Sequence, residues 1–267
     1  MKLHRRLVYF LLLAFILVPM LFGLTFKVKP TKPVMTFFDS VAELSPGDYI
    51  AVTLSFDPST KAELVPMLKA LTENIFENGL NVIFLNPQNI NISDLGFSVI
   101  SDIASKNGKI ENSDWYYLGF VPGDKAVYQK LGEDLYSVYP ASMHGVKLNS
   151  TKLYEDVKNL RDVKLLIDLA DGNSTVDLLT YLSTKYDVPM AAGVTAVMAS
   201  EYYPYLESGQ LKGLLGGLRG AAEYETLLNV SGRARRGMAA QTLAHILIML
   251  LVLMGNIEYF MSKRKNG

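Results

Sequence analysis

The sequence predicts an α/β fold, a mainly parallel doubly wound sheet in a three-layer sandwich flanked by two transmembrane helices. Three observations carry that expectation. Short apolar runs alternate with segments of helical periodicity between residues 48 and 228. Several of the runs are apolar throughout, as strands covered on both faces must be. Uncharged apolar stretches stand near both ends of the chain, and the mean hydropathy of +0.18 is high for a soluble domain.

The first apolar stretch, residues 7–26, holds no charge. Twenty residues of helix rise about 30 Å, the thickness of one hydrocarbon core. Residues 1–6 form a basic n-region before it. The run exceeds the about 7–15 residues of a signal-peptide core and no small-residue cleavage site follows, so it reads as an uncleaved signal anchor. Residues 27–34, with Lys27, Lys29, Lys32 and two prolines, read as an extended tether. The folded domain is expected over 35–228.

Within it, residues 48–56 follow the Pro46-Gly47 turn and are rich in β-branched and aromatic residues, as a strand requires. Residues 60–77 place Leu64, Leu68, Leu71 and Ile75 at helical spacing. Residues 80–85 read as a buried strand, 92–106 as a weaker helix, and 115–121 as a strand stopped by Pro122-Gly123. A short helix over 124–131 follows, then an irregular stretch over 133–150 and a helix over 151–160. Residues 163–170 and 190–199 read as strands, 174–186 and 205–228 as helices. Strands alternating with helices in this way give a Rossmann-like sandwich. A basic linker over 229–238 leads to the second membrane stretch, 239–261, and a basic tail over 262–267 stops it.

Net charge and composition exclude several classes. The chain has 26 Lys+Arg against 26 Asp+Glu, three His and no Cys. The zero balance argues against nucleic-acid binding. The absence of Cys removes disulfides, thiolate catalysis, Zn–Cys sites and iron–sulfur clusters. Basic residues are equal on the two sides of the apolar stretches, so the positive-inside count does not orient the chain. A short basic tail is hard to export whereas a large domain is not. Both termini are therefore expected in the cytoplasm and residues 27–238 outside the membrane.

In open α/β sheets ligands bind beyond the carboxyl ends of the strands. The polar residues following the expected strands are Asp57, Asn86, Asp171, Ser174 and Glu201, a candidate ligand site. Asp, Asn and Ser are also what strand-to-helix loops use as N-caps, whatever the function. Asp168 sits inside an apolar strand, where a carboxylate is costly unless paired; it reads as a functional acid with a shifted pKa, or as a residue facing a less buried layer or capping a neighbouring loop. Gly213, Gly216, Gly217, Gly220 and Ala221 form a candidate interaction strip of small residues at helical spacing. That strip has three readings: close packing on the sheet, contact with another subunit, or a phosphate loop. Its spacing matches neither nucleotide-binding glycine motif. His144 is the one His of the domain and no nucleophile elbow accompanies it, so no catalytic constellation and no metal site is indicated.

The function expected is that of a structural, scaffold or sensor component of a prokaryotic envelope assembly. Its partners would be the lipid bilayer and a membrane protein or a second copy of the chain, with no nucleic acid and no cofactor. The alternative is a membrane-anchored hydrolase or small-ligand-binding domain using the strand-end cluster.

Overall fold

Strand β1 (Tyr49–Ser55) is buried at every position, because both of its faces carry apolar side chains. Ile50, Val52 and Leu54 enter one core, Tyr49 and Ala51 the other. The architecture is that of a computed structural model describing residues 5–122 and 125–266. Most of the expected n-region, Gly123 of the expected strand stop, and the side chains of Glu258 and the basic tail lie outside the described residues.

The chain enters through α1 (Arg5–Phe22) and α2 (Lys32–Ala42). After β1 come α3 (Lys61–Glu77), β2 (Asn81–Asn86), α4 (Ser93–Lys106) and β3 (Trp115–Phe120). Three short helices follow, α5 (Lys125–Leu131), α6 (Leu135–Val138) and α7 (Lys152–Asp156). Strand β4 (Leu165–Ala170) leads to α8 (Ser174–Leu178), which passes through a π turn at Leu179–Ser183 into α9 (Thr184–Tyr186). Then come β5 (Met190–Val194), α10 (Ala199–Glu207), β6 (Leu214–Gly216), α11 (Gly217–Leu227) and α12 (Arg233–Asn266).

The six strands are all parallel, in the order β3-β2-β1-β4-β5-β6. This is the Rossmann-like order, with the chain reversing direction across the sheet between β1 and β4. One face is covered by α2, α3, α4 and α11, whose Phe37, Leu68, Ile100 and Tyr224 share a core. The other is covered by α5 to α10, with Tyr128, Leu135, Leu153, Leu178 and Tyr202 in a second core. The doubly wound sheet expected from sequence is thus present.

Several segments differ from expectation. The strand expected over 190–199 ends at Val194, and Ala199 already opens α10. Residues 205–228 are not one helix: α10 ends at Glu207 and a short edge strand, β6, intervenes before α11. Gly216 is extended, and Gly217 has φ +60°, a conformation that favours glycine and breaks any continuous helix. The tether is also shorter than 27–34, because α2 begins at Lys32. Pro33 occupies the first turn of that helix, where its missing N–H costs nothing.

The terminal helices differ from each other. Within α12, Arg233–Met261 is long and apolar enough to cross a membrane; the apolar helix at the other end, Arg6–Phe22, is shorter. One helix therefore meets the length expected of a span, not two. The apolar run 7–26 does not stay helical, because α1 stops at Phe22 and Gly23 takes φ +66°. Residues 233–238, expected as linker, are the first turns of α12. The two helices pack along each other. On α12 the buried positions Ala240, Ala244 and Leu247 fall on one side, and on α1 Pro19 is buried with Phe15 and Leu12 half-buried. The remaining apolar side chains of both, such as Phe22, Met249 and Leu253, are exposed.

Candidate functional site

The carboxyl ends of β1, β2 and β4 carry a connected set of polar groups. The Asp57 carboxylate accepts from Ser59 N at 2.8 Å, capping the turn Pro58–Thr60, and from Asn89 Nδ2 at 2.9 Å. Those hydrogen bonds, the Ser59 N–H first, hold its carboxyl below the usual carboxylate range. Asp171 Oδ2 accepts from Asp57 N at 2.7 Å and from Thr60 Oγ1 at 2.9 Å. The buried Asn86 donates to Asn89 O at 2.6 Å and to Ser93 Oγ at 2.9 Å. Gln88 donates to the Tyr128 hydroxyl.

Beneath this edge lies Asp168, with no exposure to solvent. It stands opposite Thr53 across the β1–β4 ladder and accepts from Thr53 Oγ1 at 2.6 Å. Its other oxygen accepts from Ser174 Oγ at 2.9 Å and Thr175 Oγ1 at 2.8 Å, at the start of α8. Burial pushes its carboxyl up, and the surrounding hydroxyls pull it back down. The residue is thus fully buried, not in a less buried layer, and both of its oxygens are satisfied by hydroxyls.

Four of the five candidate ligand residues, Asp57, Asn86, Asp171 and Ser174, thus lie on this sheet edge. Each uses its side chain to brace a loop or a helix start, as N-capping residues do. Glu201 shares none of these hydrogen bonds and is exposed on α10. Two carboxylates at this edge would repel a phosphate, and no glycine-rich loop follows β1 to cradle one. His144 is elsewhere, with Nδ1 2.9 Å from Glu111 and its ring edge-on to Phe97. No group of three or more metal-ligating side chains occurs among the described residues.

The glycine strip is packed inside the fold. A Cβ at Gly213 would collide with the backbone of Phe37 in α2. At Gly217 it would lie 2.6 Å from Ala196 Cβ, and at Gly220 2.9 Å from the Leu215 carbonyl carbon. Gly216 meets Ala199, and Ala221 is fully buried. These residues let α2, α11 and the loop after β5 close on β6. Gly213 and Gly216 are not on a helix at all.

A second constellation went unread in the sequence. On α11, Glu223 and Glu225 are buried at 1% and 3% exposure, and each holds the entrance of another helix. Glu223 Oε2 accepts from Thr31 N at 2.8 Å and Thr31 Oγ1 at 2.6 Å, at the N-cap of α2, and Oε1 accepts from Arg219 Nε at 2.8 Å. Glu225 accepts from Ala234 N at 3.0 Å and Arg235 N at 2.8 Å, in the first turn of α12. Burial pushes the Glu225 carboxyl up while these N–H groups oppose it. Between them Tyr224 accepts from Asn74 Nδ2 at 2.6 Å and packs edge-on against Phe37, centroids 5.4 Å apart. Arg235 completes the junction, donating to Val230 O at 2.8 Å and to Thr25 Oγ1, between α1 and α2, at 3.5 Å. The available signal was Glu-Tyr-Glu following Gly-Ala-Ala: two carboxylates on a helix of small residues need donors.

No protein-family model matches the chain, and no curated protein is significantly similar to it.

Proposed function

We propose that this chain is a membrane-anchored α/β domain serving as a structural, scaffold or sensor component of an envelope protein assembly. In this reading α1 and α12 both sit in the bilayer, the termini are cytoplasmic and the α/β domain lies outside. The single observation behind it is the junction on α11. Glu223 fastens the segment leaving α1 and Glu225 fastens the start of α12 to the same short helix. A domain needing only to be near a membrane requires one loose tether; in this reading there are two, both gripped by buried carboxylates. The exposed apolar sides of α1 and α12 suit lipid.

A second reading, a small-ligand-binding domain or hydrolase, is favoured by the β3-β2-β1-β4-β5-β6 order, which opens a crevice where Asp57, Asn86 and Asp171 stand. Against it, these side chains are occupied in bracing their own loops. Affinity purification of the full chain in mild detergent with mass spectrometry separates the two. A stable membrane-protein partner or a homo-oligomer is expected; a lone monomer would overturn the assembly role. Protease added to intact spheroplasts should digest the domain, and full protection would overturn its placement outside.

A further inference from the structure

A cleft of about 350 Å³ lies between α3, residues 230–232 and the first turns of α12. Its lining includes Lys69 and Glu73 of α3 together with Glu225, Arg233 and Arg236. Lys69 and Arg233 form no ion pair among the described residues, and Arg236 spends its Nε on Gly232 O at 3.3 Å. Glu225 is already occupied by two backbone N–H groups. The cleft therefore offers three cations, Lys69, Arg233 and Arg236, against two carboxylates, Glu73 and the hydrogen-bonded Glu225.

Because α12 is continuous from Arg233, the height of the cleft relative to the apolar stretch is fixed. At helical rise, Arg236 stands about 4.5 Å and Arg233 about 9 Å before Ala239, the first residue of that stretch. The polar headgroup layer on each side of a bilayer is about 5–7 Å deep. Resting on the reading that α12 crosses the membrane, we propose that this cleft binds the phosphate headgroup of an anionic membrane lipid. Arg236 lies within the headgroup layer, Arg233 stands just beyond it with a side chain long enough to reach down to the phosphates, and Lys69 adds charge from the α3 wall. Arg236, pinned to Gly232, marks the inner wall. The lipid would fill the angle between the domain and α12 and so help to set its tilt.

The test uses the full chain in mild detergent. Short-chain phosphatidylglycerol, the matching phosphatidylcholine and inorganic phosphate are titrated separately, and lipid retention is read by native mass spectrometry. Phosphatidylglycerol is expected to be retained in preference to phosphatidylcholine. In K69Q/R233Q its retention should fall about fivefold for each cation removed. The charge-retaining K69R/R233K should keep it, which excludes a folding defect as the cause of any loss. Equal retention of the two lipids, or no loss in K69Q/R233Q, would overturn the proposal. So would inorganic phosphate that competes fully at equal concentration, because the site would then be one for the free ion. Alkaline carbonate washing of native membranes is the separate check. Release of the chain would remove the spanning reading itself, whereas retention with no lipid preference would remove the lipid site alone.

Discussion

Replacing Glu223 with alanine tests the junction most directly. The Glu223 side chain is buried and Thr31 half-buried, and the change leaves Thr31 N–H and Oγ1 without their protein acceptor. The Arg219 contact adds little, because that side chain is 65% exposed. A hydrogen bond to a charged partner contributes about 1.5–3 kcal/mol, and the two from Thr31 belong to one residue, so a loss of about 3 kcal/mol is expected. For a domain of this size that is a fall in Tm of about 6–12 °C. Scanning fluorimetry of the full chain in detergent measures it. The E223Q variant keeps an acceptor in place and should lose less than half as much. The T31V change should cost little extra in the E223A background, since the two partners share one interaction. A Tm for E223A within about 2 °C of the parent would refute the claim that this carboxylate holds the linker.

Other perturbations follow from the same geometry. Burial raises the Asp168 carboxyl, so its contribution to stability is complete below the ordinary carboxylate value and is lost as pH climbs through the raised folded value. The D168N variant does not titrate there, so the stability of the parent relative to D168N should fall as pH rises above about 4, as urea melts at several pH values would show. The G213A change drives a methyl group into the Phe37 backbone and should displace α2, costing on the order of 1–3 kcal/mol or more; an unchanged Tm would remove the close-packing account of the strip. The D171A change removes the acceptor for Asp57 N and Thr60 Oγ1 and should loosen the loop after β1, seen as faster amide hydrogen exchange over residues 57–60.

Much of the fold was legible because its strands are short and apolar on both faces. The runs around Val52, Phe84, Ile167 and Ala192 could only be strands of a covered parallel sheet, and Leu64, Leu68 and Leu71 could only form a helix lying on it. The region from Tyr205 to Leu228 was not legible, since glycines spaced by four fit a helical strip and an edge strand with a tight turn equally well. What separates those two is the left-handed backbone at Gly217 and the approach of Phe37 to Gly213, both products of tertiary packing. Four of the five strand-end residues fall on one edge while Glu201 does not join them, and their partners across strands, such as Asp171 with Asp57, depend on a strand order that periodicity does not encode. Glu223 and Glu225 were overlooked because burial of a carboxylate on a helix shows only once the neighbouring helix starts are in position.

Because α11 grips the exits toward both terminal helices, a displacement of either one loads the same eleven residues. Its N-terminal end abuts β6 and Ala196, whose N–H is held by Glu63 of α3. An axial pull or a twist on either terminal helix would thus reach the rim of the sheet through a helix only a few turns long, instead of being absorbed in slack chain.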